Sequence, residues 1–198
     1  MTHKRSLFVG ARLGAIFFAI LLSVSALAVG QTEYLAYSFP LSTRTSVTPC
    51  TPKGNLVADS SGNLYGTATM CGASTGAVFE LTRPVPPSKV WTEMLLDSSL
   101  AGDPEFGVIY DAAGNLYGTA RGGATGFGFV FELSPPATDG GAWTETILYN
   151  FQGGLTDGAT PWGGVTFDDA GNLYGVTLRG GERHARIRLL HQRVRRRI

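Results

Sequence analysis

Histidine is nearly missing from this chain. His3, His184 and His191 are its three copies, so the long middle stretch holds none. That stretch lacks the commonest general base and the commonest transition-metal ligand. Cysteine is scarce as well. Cys50 and Cys71 are the only two, and neither has a histidine nearby, which makes a poor zinc site. No Gly-x-Ser-x-Gly elbow, phosphate-binding loop or EF-hand spacing occurs, so the enzyme and sensor classes built on them lose support. Charged residues make up 16% of the chain, and no long segment has the apolar spacing of an amphipathic helix. What remains, with 27 Gly and 11% aromatic residues, is the composition of a β protein.

What is abundant is repetition. Gly-Asn-Leu-Tyr-Gly occurs at 62–66, 114–118 and 171–175. Before each copy stand an Asp (Asp59, Asp111, Asp168) and, further back, a Pro (Pro52, Pro104, Pro161). Asp-x-x-Gly-Asn reads as a tight hairpin turn. The Asp carboxylate can accept backbone N–H groups, and the Gly suits positive φ. The turn residues are thus Asp59, Gly62, Asn63, Asp111, Gly114, Asn115, Asp168, Gly171 and Asn172.

The second copy shows the whole unit. Gly107–Asp111 and Leu116–Ala120 read as strands either side of the turn. A Gly-rich loop, 121–128, leads to Phe129-Val130-Phe131-Glu132-Leu133, a third strand that Ser134-Pro135-Pro136 ends. Trp143–Phe151 reads as a fourth, with Trp143, Glu145, Ile147, Tyr149 and Phe151 on one face. The first copy repeats these pieces as Ala77–Leu81 and Trp91-Thr92-Glu93. Four short antiparallel strands in each unit are the blade of a β-propeller, and the expected fold is all-β: tandem blades forming a partial or open propeller. Tyr37-Ser38-Phe39 matches Tyr149-Asn150-Phe151, so the mature chain is expected to begin with the last strand of a blade.

Charge divides the chain into three materials. Residues 1–28 carry Lys4, Arg5 and Arg12 and no acid. Residues 29–178 hold five basic and fourteen acidic residues, and 179–198 hold eight Arg against Glu182. The first segment, with its basic start, the apolar run Leu13–Val29 and small residues at Ala26-Leu27-Ala28, is expected to be a signal peptide cleaved after Ala28. An uncleaved anchor is the alternative, with a run at the lower edge of spanning length. The protein is then exported, to the periplasm, the cell surface or the medium, with no membrane span after cleavage. The repeats occupy 29–181, divided at about 29–100, 101–152 and an incomplete 153–181. Residues 182–198 form a basic tail outside the repeat, expected to stem from a shifted reading frame near Gly181. In an oxidising compartment Cys50 and Cys71, flanking the first turn, would sit at the open end of one hairpin as a candidate disulfide.

Asp-x-x-Gly-Asn-Leu-Tyr-Gly, then the Gly-rich loop, Val-Phe-Glu-Leu, Trp-x-Glu and Tyr-x-Phe, resembles the GloVer tandem repeat of bacterial exported proteins. Here the pieces are Asp111–Gly118, Val130–Leu133, Trp143–Glu145 and Tyr149–Phe151, and the resemblance covers 31–181. It implies a secreted or cell-surface protein, and it carries no catalytic residues to transfer. The chain departs from the pattern after Gly180-Gly181, where another Gly-aromatic run and a Val-Phe-Glu-Leu strand are due.

No catalytic, cofactor-binding or metal-binding residues are expected. Glu80 and Glu132 share one repeat position and Glu93 and Glu145 another, and a catalytic pair would break that symmetry. Calcium at the Asp turns is the sharper alternative to a purely structural role. Trp162 is off-pattern, since Lys53 and Glu105 stand at its place in the other copies, and it is the candidate ligand contact. The expected function is a non-enzymatic binding or adhesion module for a glycan or protein ligand, not for nucleic acid, with self-association through open blade edges. The alternatives are a fragment of a propeller-type glycan hydrolase or lyase, and a truncated, inactive gene product.

Overall fold

Hairpin turns at the three Asp-x-x-Gly-Asn strings fix where each strand must reverse, and the strands follow. The structure, a computed structural model, describes residues 35–39, 48–71, 75–181 and 192–193, with the backbone alone at 48–50, 70–71 and 192–193. Residues 1–28, expected to be a signal peptide, and most of the 182–198 tail lie outside them. Among the described residues every regular element is a strand, and no helix is long and apolar enough to cross a membrane.

The first blade is one antiparallel sheet of β1 (Thr48–Ala58), β2 (Leu64–Cys71), β3 (Gly76–Thr82) and β4 (Thr92–Leu100), in that order. The second has β5 (Gly102–Asp103) and β6 (Val108–Tyr110), both paired with β7 (Leu116–Gly122), followed by β8 (Phe129–Ser134) and β9 (Thr144–Asn150). β5 and β6 are therefore two halves of one first strand. The third blade is more broken. β10 (Gly158–Pro161) pairs with β13 (Thr177–Gly180), and β11 (Thr166–Phe167) pairs with β12 (Asn172–Tyr174). β14 (Gln192–Arg193) then lies on β12, opposite Asn172 and Leu173.

The first strand starts earlier than the sequence pattern suggests, upstream of Gly107. Glycine makes this possible. Gly54 and Gly107 hold φ near +71° and +75°, and there the strand kinks without losing its direction. At the kink adjacent blades touch. Asn55 forms a parallel bridge with Gly107, its counterpart one repeat on. A Cβ on Gly107 would stand 2.3 Å from the Asn55 carbonyl oxygen. The first strands converge there, as blades around an axis must.

Two apolar clusters fill the spaces between successive blades, and a third lies between the first blade and the N-terminal segment. Val78, Leu96 and Leu100 of the first blade pack on Leu116, Phe129, Phe131 and Leu133 of the second, with Trp143 at the margin. Tyr117, Val130 and Phe151 of the second pack on Val165 and Leu173 of the third. Ala68, Phe79 and Leu81 of the first pack on Tyr37 and Phe39 from the N-terminal segment. Strand alternation explains the split: in β3 and β8 the Phe side looks back to the preceding blade and the Val side forward. Each fully buried Phe or Leu contributes roughly 1.5–3 kcal/mol.

One expectation fails here. Trp143 and Tyr149 do not share a face. Val130 pairs with Tyr149 but Phe131 pairs with Ile147, so Leu148 is an extra residue in β9. The bulge flips the alternation, sending Trp143 back toward the first blade and Tyr149 and Phe151 forward to the third. β4 has the same irregularity opposite Val78 and Phe79.

Candidate functional site

The three Asp turns are alike in detail. Asp111 Oδ1 accepts N–H groups from Ala113 at 2.9 Å and Asn115 at 3.0 Å. Its Oδ2 accepts the Asn115 side-chain amide at 3.0 Å and the Tyr117 hydroxyl at 3.1 Å. Asp59 makes the same four contacts with Ser61, Asn63 and Tyr65. Asp168 makes them with Ala170, Asn172 and Tyr174. The turn glycines Gly62, Gly114 and Gly171 hold φ of 84°, 85° and 80°. Burial would raise the Asp59 and Asp111 carboxyls, but these hydrogen bonds outweigh it and hold both below their ordinary value. Asp168, held chiefly by the Asn172 side chain and backbone, falls to about 2. Both oxygens of each carboxylate are engaged by the turn itself, so calcium would have to displace that network. Among the described residues no three His, Cys, Asp or Glu side chains gather as a metal site. The tyrosine hydroxyl is a part of the turn that the sequence pattern did not single out, although Tyr recurs at one offset in every copy.

Glu80 and Glu132 also lie in matched settings, whereas Glu93 and Glu145 differ in their partners. Glu80 and Glu132 accept hydroxyls from Thr82 and Ser134, at 3.3 and 3.2 Å. Burial pushes the Glu80 carboxyl up. Glu93 accepts the Tyr37 hydroxyl at 2.6 Å across a blade boundary. Glu145 lies at the next boundary, where burial and then the charge of Asp97 raise its carboxyl. Three donors of the Gly-rich loop are engaged by backbone: Gly126 and Gly128 bond within the loop to the carbonyls of Gly123 and Gly122, and Gly123 bonds to the carbonyl of Ala101. That loop ties blades together, since its Phe127 carbonyl accepts the Thr160 N–H of the next blade at 2.7 Å.

At the opposite end of the hairpins from the Asp turns, the repeats stop agreeing. One position holds Lys53, Glu105 and Trp162. A second holds Thr51, Asp103 and Thr160, of which Thr51 and Asp103 pair across the hairpin with Thr69 and Arg121. Convergence of the first strands brings these side chains together. Lys53 Nζ lies 2.9 Å from Asp103 Oδ2 and 3.2 Å from Glu105 Oε1. Arg121 Nη1 lies 2.9 Å from Glu105 Oε2, and the Thr69 hydroxyl donates to Asp103 at 2.9 Å. All four charged groups are partly exposed, so each pair adds at most about 1 kcal/mol of stability. In the next blade Trp162 is 51% exposed, with its ring edge-on to Phe106 at 6.1 Å. Its backbone N–H is fixed on the Val176 carbonyl at 3.0 Å. Two residues earlier, Thr160 holds φ of 57°, an uncommon conformation for a β-branched residue. The tryptophan could be singled out from sequence. The ionic cluster could not, because it forms between repeats.

The candidate disulfide falls on side chains outside the described residues. The backbone sets Cys71 opposite Thr48 and leaves Cys50 in the irregularity between Pro49 and Thr51.

An all-β chain of tandem, open propeller-like blades, with matched turns at one end of its hairpins and variable side chains at the other, is a repeat protein by construction. The Gloeobacter/Verrucomicrobia repeat model matches residues 28–187, and the chain belongs to that family. No curated protein and no solved structure matches it.

Proposed function

We propose that this chain is an exported, non-enzymatic binding module whose ligand is a glycan, held at the ends of the first strands. One observation carries the reading. The Asp, Gly, Asn, Leu and Tyr of the turn motif keep the same residue from blade to blade, whereas Lys53, Glu105 and Trp162, which share one position, differ completely. The turn motif meets the same scaffold demand in every blade, so complete divergence in size, charge and polarity at this exposed position suits a demand other than folding. The chemistry there suits a sugar. Trp162 and Phe106 present aromatic surface for an apolar sugar face. The Lys53–Asp103–Glu105–Arg121 cluster presents fixed donors and acceptors for hydroxyls. Its two cations and two carboxylates balance, which favours a neutral ligand over a polyanion. Export rests on the basic and apolar character of residues 1–28.

A glycan array probed with the full chain tests this. Binding to a limited set of neutral glycans is expected, with Trp162→Ala reducing it at least tenfold while the fold is retained. An array without hits, or hits indifferent to Trp162→Ala, overturns the reading. Binding to proteins alone would replace the glycan with a protein ligand.

A further inference from the structure

One position breaks the repeat at a blade boundary. Asp97 and Tyr149 correspond: each follows the extra residue of its strand, Leu96 or Leu148, and each pairs with the Val of the third strand, Val78 or Val130. Tyr37-Ser38-Phe39 matches Tyr149-Asn150-Phe151, so Tyr37 is a further copy of the same position. Two copies are Tyr and one is Asp. The residue across the boundary does not change with it. Glu93 and Glu145 are equivalent, and Glu93 Oε2 accepts the Tyr37 hydroxyl at 2.6 Å. Glu145 meets Asp97 where Glu93 meets Tyr37. Its Oε1 is buried with no hydrogen-bond partner among the described residues.

The surroundings offer no other relief. β8 sets Leu133 across from Glu145, and Val78, Leu96 and Leu100 fill the boundary beside it with Trp143. Among the described residues neither Glu145 nor Asp97 has a cation as partner. Two ionised carboxylates only accept, so they cannot satisfy each other. A carboxylic acid beside a carboxylate can, because its O–H donates. Asp97 Oδ1 already accepts the Ser99 N–H and hydroxyl, both at 2.7 Å, which gives Asp97 the acceptor's part. Glu145, with the orphaned oxygen, is the donor. We propose that Glu145 and Asp97 share a proton, Glu145 donating its O–H to Asp97, so that the fourth strands of the first two blades are fastened together in acid and repel each other once that proton passes to water. Burial, then the Asp97 charge, keeps the proton on Glu145 above the ordinary 4.5. The stabilisation is full below 4.5 and disappears as pH rises through the raised folded value. At the first strands the Asn55–Gly107 bridge and the Lys53 ion pairs hold the same two blades. Loss of the proton therefore loosens the fourth-strand end of the boundary while the first-strand end stays tied.

Carboxyl-carbon NMR of the full chain across a pH titration tests this, with the Glu145 resonance identified by its loss in Glu145→Gln. In the wild type Glu145 is expected to release its proton above 4.5. Asp97→Asn keeps an Oδ1 acceptor for Ser99 and offers Glu145 a side-chain N–H. It should lower the Glu145 midpoint by about one pH unit or more, a tenfold change in proton affinity. It should also abolish the fall in urea midpoint that the wild type shows as pH rises from 4.5 to neutrality. A wild-type Glu145 midpoint at or below 4.5 overturns the proposal. So does a midpoint that Asp97→Asn moves by less than that unit, since burial alone would then hold the proton. Should Asp97→Asn fail to fold, Asp97→Tyr takes its place with the residue of the other two copies. Its hydroxyl should reach Glu145 as Tyr37 reaches Glu93 and lower the midpoint equally. An unmoved midpoint in that variant overturns the proposal as well.

Discussion

The Tyr117 hydroxyl donates to Asp111 Oδ2 at 3.1 Å while its ring is buried against Leu173 and Val165 of the next blade. One side chain thus ties a hairpin turn to an inter-blade core. Tyr65 makes the same link one blade earlier, reaching Asp59 and packing against the second blade. Turn geometry and blade packing are therefore coupled.

Removing either end of that link separates its parts. Asp111→Ala deletes the acceptor of four hydrogen bonds and should cost about 2 kcal/mol or more in urea denaturation. Tyr117→Phe keeps the buried ring and should cost about 1 kcal/mol. The double variant should cost less than the two singles together. Strict additivity would show that the hydroxyl contributes nothing through Asp111.

Acid should loosen the turns. Asp59, Asp111 and Asp168 all have folded pKa values below the ordinary value of 3.8, Asp168 at about 2. Protons therefore bind the unfolded chain first. The stabilisation is complete above about pH 4 and disappears as pH falls toward about 2. Urea midpoints measured from pH 6 to pH 2.5 should decline through that window. Constant midpoints would show that the carboxylates are not held this way.

Glu145 should behave in the opposite sense. Burial, with Asp97 nearby, raises its carboxyl above the ordinary 4.5, so ionisation works against the folded state as pH rises past that value. Glu145→Gln should raise the melting temperature at pH 7 and lose its advantage at pH 4. An equal effect at both pH values would point to packing and not to charge.

Two glycines with the same φ of 75° should respond differently to alanine. At Gly126 nothing lies within 4 Å of the added Cβ, and a cost of about 1 kcal/mol reflects the backbone alone. At Gly107 the Cβ meets the Asn55 carbonyl at 2.3 Å, so the blades must part. Gly107→Ala should lower stability by at least about 2 kcal/mol more than Gly126→Ala. Similar thermal shifts in the two variants would mean that the Asn55–Gly107 contact does not hold the blades.

The spacing of Asp, Gly, Asn and Tyr is local chemistry, so the sequence by itself determined the turns, the tandem antiparallel blades and the odd standing of Trp162. Those features depend on residues within a few positions of one another or on a period repeated along the chain. Only the tertiary structure decided the rest. The bulge at Leu148 has no residue signature and shows only in the register of β8 against β9. The meeting of Lys53 with Asp103 and Glu105 spans a full repeat and depends on how closely glycine lets the first strands converge. Local hydrogen bonds can be read along a chain, but the contacts between blades arise only once the sheets have stacked.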